Sequence, residues 1–92
     1  MNPELKNRCL ITLEAEVDPQ LPGRVIDLIA VRGSLPEWFS VRKRGVDTLR
    51  VSLEFLDIDE DAAALFIRKL LKIPTVLDAS CTWLGKRDQL AP

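Results

Sequence analysis

Two stretches of the chain alternate strictly between apolar and polar residues, and they decide what it can fold into. In RCLITLEAEV, Cys9, Ile11, Leu13, Ala15 and Val17 share one side, while Leu10, Thr12, Glu14 and Glu16 share the other. In TLRVSLEFL, Leu49, Val51, Leu53 and Phe55 alternate with Thr48, Arg50, Ser52 and Glu54. A period of two with one apolar side predicts half-buried strands. After the first of them the period becomes helical. Val25, Leu28 and Ile29 recur one turn after Leu21, with Arg24, Asp27 and Arg32 mostly on the polar side. Gly33 is placed to end that helix in a left-handed conformation.

The remaining segments complete the order. LPEWFSVRKRGVDTLRVSLEFLDI predicts a hairpin with Gly45 at its turn. Pro36 inside the first strand of that hairpin, and the run Arg42, Lys43 and Arg44, mark an edge position, where proline is tolerated and charge discourages further pairing. Trp38 and Phe39 are adjacent and so face opposite ways, one toward the helices. DIDEDAAALFIRKLLKIP is the clearest helix. Asp57 or Asp59 caps it, and Glu60 and Asp61 face the positive end of its dipole. Arg68, Lys69 and Lys72 sit at the other end, with Pro74 beyond. Ala63, Phe66, Ile67 and Leu70 form its buried stripe, and TVLDASCTWL closes the chain as a strand. The order β-α-β-β-α-β predicts an α+β fold, a ferredoxin-like sandwich of one antiparallel four-stranded sheet with two helices on one face. The second sheet face, carrying Thr12, Glu14, Glu16, Ser40, Arg42, Arg50, Ser52 and Glu54, is polar enough to meet water.

Ninety-two residues suit a single domain spanning 1–92, with its core over about 8–84. A net charge of -1 gives no field to draw the chain to nucleic acid or an anionic membrane, and neither is expected as a partner. The N-terminal MNPELKNR lacks the apolar core of a signal peptide, and no apolar run is long enough to span a bilayer. A cytoplasmic location is the expectation. Cys9 and Cys81 show no metal-ligand or redox-pair spacing, so both are expected to be reduced and buried. Histidine is absent, which removes the commonest general base and metal ligand at neutral pH. No catalytic constellation, metal site or cofactor is implied.

The fold hosts many activities, so sites decide. RNA-recognition motifs stack bases on aromatic rings of the two central strands. Here the matching face carries Glu14, Arg50, Ser52 and Glu54, and tyrosine is absent. A metal chaperone needs a Cys-x-x-Cys in the first loop, where this chain has DPQLPGRV. Acylphosphatase-like chemistry needs an asparagine on the third strand, and the only asparagines are Asn2 and Asn7. DPQLPGRV itself reads two ways. It is either a stiff loop-to-helix junction or a mouth where a carboxylate meets the backbone donors and positive dipole end of a helix. Gly23 admits close approach to the backbone, and Pro22 gives up a donor that the first turn does not need.

The segments LPGRVIDLIAVRG and TLRVSLEFLDIDEDAAALFIRKLLKIPTVLDAS resemble those of ACT domains over about residues 8–83. ACT domains enter their first helix through a Pro-Gly loop and leave it near an Arg-Gly. Within that family, DPQLPGRVIDLIAVRG looks most like the small regulatory subunits of acetolactate synthase. The resemblance implies a non-catalytic regulatory module that senses an amino acid or related small metabolite at a dimer interface and modulates an enzyme of amino-acid metabolism. The implied partners are a second copy of the chain, in a homodimer or higher homo-oligomer, the amino acid itself, and a larger biosynthetic enzyme subunit. The alternative is an accessory subunit that stabilises or activates an acetolactate-synthase-like enzyme by contact, without ligand. Carried over by position, the ligand-binding residues are Gln20, Pro22, Gly23 and Arg24, with Leu35 and Trp38 at the start of the second strand opposite. Two positions depart from the family. Gln20 stands two residues before the Pro-Gly, and Leu35 replaces an asparagine, making the implied pocket more apolar.

Overall fold

A computed structural model describes residues 7–86; the polar termini expected on either side lie outside the described residues. The elements follow the order anticipated: β1 (Asn7–Glu16), α1 (Leu21–Arg32), β2 (Trp38–Arg44), β3 (Thr48–Leu56), α2 (Glu60–Leu71) and β4 (Val76–Lys86). The strands form one sheet in the order β2-β3-β1-β4, with every neighbouring pair antiparallel. This is the ferredoxin-like sandwich.

The two strictly alternating strands lie side by side in the middle. Cys9 stands opposite Phe55, Ile11 opposite Leu53, Leu13 opposite Val51 and Ala15 opposite Leu49. All eight are buried and form the floor on which the helices rest. α1 contributes Leu21, Val25 and Ile29, one turn apart, and α2 contributes Ala63, Phe66 and Leu70. Two contacts orient the helix layer. The Phe66 ring meets Phe55 edge to face, with centroids 5.5 Å apart, and the Arg32 guanidinium lies over the same Phe55 ring at 5.0 Å. Arg32 is therefore half-buried rather than simply part of a wet helix face. Gly33 ends α1 with φ +87°, its N–H donating to the Ile29 carbonyl at 3.0 Å.

The structure corrects several expectations. Cys9 and Cys81 are not reduced. They sit diagonally on the core side of neighbouring β1 and β4, where Cys81 faces Ile11 and Cys9 faces Trp83, and they form a disulfide. Pro36 precedes β2 instead of interrupting it, although β2 is the edge strand foreseen. Val17 falls beyond the end of β1 and is exposed. No described helix is long and apolar enough to cross a membrane.

Candidate functional site

The loop into α1 is built around Asp18. Its Oδ1 accepts the Gln20 N–H at 3.0 Å, its carbonyl accepts the Leu21 N–H at 3.0 Å, and its Oδ2 accepts the Thr75 hydroxyl at 2.9 Å. The first two bonds are an aspartate-stabilised turn, and the third ties that turn to the segment leading into β4. The flanking backbone is fixed as well. The Glu16 N–H donates to the Thr75 carbonyl, and the Val17 N–H to the Asp47 carbonyl of the β2–β3 turn. Asp18 and Thr75 were not among the residues anticipated for this site. The Asp-Pro at the start of DPQL was the only sequence signal for the first, and the second is 57 residues away from it.

On this rigid mount the helix begins without a chemical stopper. Gln20 is the N-cap, but its side chain caps nothing, and the first turn of α1 carries no acidic residue. α2 is the opposite case. The Asp59 carboxylate accepts the Ala62 N–H at 2.7 Å, and Glu60 and Asp61 add negative charge in the first turn. The positive end of α2 is thus compensated within its cap and first turn, whereas at α1 the one carboxylate is Asp18, ahead of the N-cap, and the first turn adds no charge of its own. Pro22 is half-buried in the first turn, while Gly23 and Arg24 are exposed. A Cβ placed on Gly23 meets nothing within 4 Å, so nothing among the described residues requires glycine there. Arg24 lines a shallow cleft of about 270 Å³ with Asp27, Leu28, Lys69, Lys72 and Ile73. The cleft holds three cations against one carboxylate, with the Asp18 carboxylate standing at the start of the same helix.

Leu35 and Trp38 lie elsewhere. They follow the C-terminal end of α1, whose twelve residues run about 18 Å, so most of that helix lies between them and Gln20, Pro22, Gly23 and Arg24 within one chain. Leu35 is 86% exposed. Trp38 faces the side of the sheet away from the helices, since it pairs with Glu54 between core-facing Leu53 and Phe55. Its neighbour Phe39 turns inward and packs against the core. The six residues therefore do not converge within one chain.

Trp38 instead joins a polar cluster on the open face. Its Nε1–H donates to Glu54 Oε1 at 2.9 Å, and Arg8 binds Glu54 Oε2 at 2.7 Å. Glu54 is buried, contrary to the wet position that alternation assigned it. The Arg8 guanidinium holds its carboxyl below the ordinary glutamate range; burial pulls the other way, and the Trp38 N–H reinforces Arg8. Among the described residues no group of histidine, cysteine and carboxylate side chains could hold a metal ion.

Solved structures share this architecture. The ACT domain of the GTP pyrophosphokinase of Chlorobium tepidum superposes with a TM-score of 0.72 at 12% identity, over 84% of this chain and 99% of that domain. The fold is ACT-like. The C-terminal domain of the MgtC protein from Mycobacterium tuberculosis matches with a TM-score of 0.74 at 14% identity, over 99% of this chain and all of that one. An uncharacterised protein of Thermotoga maritima matches with a TM-score of 0.70 at 17% identity, covering 87% and 99% of the two chains. At such identities the likeness concerns the ACT-like fold. Neither a protein-family model nor a curated protein matches the sequence significantly. The finer resemblance to acetolactate synthase subunits has no counterpart among these three structures.

Proposed function

We propose that this chain is a non-catalytic regulatory module of the ACT type, in which the carboxylate of an amino acid or related metabolite docks at the start of α1. The observation that carries this reading is the contrast between the two helices. α2 compensates its own N-terminus with Asp59, Glu60 and Asp61, whereas α1 has no side-chain cap from Gln20 and no acidic residue in its first turn, with Arg24, Lys69 and Lys72 lining the cleft beside it. The separation of Leu35 from Gly23 by the length of α1 supports a site completed by a second copy of the chain. In that arrangement the exposed Leu35 of one protomer would supply an apolar wall to the loop of its partner, favouring aliphatic amino acids over polar ones.

The test is a thermal-shift screen against the twenty amino acids, run on the wild type and on Gly23→Leu. A ligand at about a hundredfold its dissociation constant adds roughly 2.7 kcal/mol, a clear rise in melting temperature for a domain of this size. The reading predicts a response to one or a few aliphatic amino acids that Gly23→Leu abolishes. No response to any of the twenty would contradict it.

A second reading, an accessory subunit acting by contact on a larger enzyme, has its own supporting observation. Between the helices runs a groove of about 280 Å³ whose lining includes Leu28, Val31, Leu65 and Phe66, with Val31 73% exposed. Apolar surface of that kind on the outer side of a helix layer suits protein contact. This reading predicts no response in the amino-acid screen, and stabilisation only by the partner enzyme.

A further inference from the structure

The open face of the sheet carries a second concavity that the α1 site does not use. Trp38, Ser40, Arg42 and Arg44 of β2 share this face, paired in register with Glu54, Ser52, Arg50 and Thr48 of β3. Ser40 and Ser52 stand opposite each other, and their short side chains leave a hollow of about 520 Å³ between Trp38 at one end and the arginines at the other. Trp38 and Arg42 are four positions apart on the strand, about 13 Å.

The charges here are arranged against the stability of the sheet. Arg42 lies directly across from Arg50, a cross-strand placement in which like charges repel, and Arg44 follows on the same face. Glu14 pairs with Arg50 alone. Among the described residues Arg42 and Arg44 make no ion pair or side-chain hydrogen bond. At the other end, the Trp38 indole is held by Glu54, itself fixed by Arg8, yet 43% of the residue stays exposed. A fixed aromatic plane thus faces a cluster of under-compensated guanidinium groups across a floor of small hydroxyls.

We propose that this face binds an elongated anion with a planar ring at one end and several phosphates at the other, the chemical class of nucleoside di- and triphosphates. The ring stacks on Trp38, and the phosphates take the forked donors of Arg42, Arg44 and Arg50, a geometry that guanidinium groups match bidentately. An amino acid does not fit these demands, because its single carboxylate leaves the arginines under-compensated. The site is independent of the one at α1.

The test is calorimetric titration with ATP in the absence of divalent cations, with adenosine, inorganic tripolyphosphate and an oligoglutamate peptide as comparisons. ATP is expected to bind saturably and more tightly than tripolyphosphate, with adenosine undetectable. The exposed double variant Arg42→Gln/Arg44→Gln is expected to weaken ATP at least roughly tenfold, the order of one lost charge-assisted hydrogen bond, while melting no lower than the wild type. In a Trp83→Phe background Trp38 is the only tryptophan, so its fluorescence should respond to ATP and not to tripolyphosphate. Absence of saturable ATP binding overturns the proposal, as does full affinity in the double variant. Equal affinity for tripolyphosphate and ATP overturns the stacking half. Tighter binding of oligoglutamate than of ATP overturns it in favour of an acidic polypeptide.

Discussion

Trp38 of β2 donates its indole N–H to Glu54 of β3 at 2.9 Å, closing one side of a carboxylate whose other oxygen is held by Arg8 of β1. Three strands are thereby tied together through one buried charge on the face of the sheet that carries no helix. Arg8→Ala removes the charged partner and leaves the carboxylate half-satisfied, which should cost about 1–3 kcal/mol. Because Glu54 ionises more readily in the folded chain, its contribution is fully present above the ordinary glutamate pKa of about 4.3 and is lost as pH falls through the lower folded value. Urea melts from neutral pH down to about pH 3 should show the wild type losing stability over that interval, and Arg8→Ala losing much less.

The disulfide between Cys9 and Cys81 spans 72 residues of sequence. Closing so long a loop in the unfolded chain is worth about 2–4 kcal/mol. Adding reductant should lower the melting temperature on the order of 10 °C, and Cys9→Ala/Cys81→Ala should melt identically with and without it. An unchanged wild-type melting curve in reductant would show that the bond contributes nothing.

Gly23 sits in the first turn of a helix, with open space where a side chain would stand. Gly23→Ala should therefore stabilise the isolated chain by about 0.5 kcal/mol, through the lower entropy of the unfolded state. If glycine serves the approach of a ligand or a second copy, the same variant loses binding while gaining stability. Denaturation and amino-acid titration of the one variant check both halves.

The two helix N-termini should respond differently to truncation. Asp59→Ala removes a cap from α2 and should cost about 1 kcal/mol. Gln20→Ala at α1 removes no capping bond and should stay within about 0.5 kcal/mol of the wild type. Chemical denaturation of both variants checks the contrast.

The elements were legible in the sequence because each has one apolar side of the correct period. Ile11 to Ala15 and Leu49 to Phe55 alternate without an error, and Leu21, Val25 and Ile29 fall on one helical stripe that Gly33 terminates. What depended on register was not legible. Alternation places Glu54 on the open face, but only the pairing of β2 with β3 shows Trp38 covering it. The distance between Cys9 and Cys81 in sequence carries no information about a bond that arises because β4 lies beside β1. The candidate site was legible as a helix start at Pro22 and Gly23. That most of the length of α1 lies between them and Leu35 becomes apparent only once the two ends of the helix are placed.

The most direct test of the regulatory reading is a titration of the 15N-labelled chain with the amino acids, following backbone amide shifts at the two helix starts. The account predicts that an aliphatic amino acid moves the Gly23 and Arg24 amides saturably and leaves those of Asp61 and Ala62 in place. Immobile Gly23 and Arg24 amides with every amino acid, or shifts confined to other parts of the chain, would contradict it.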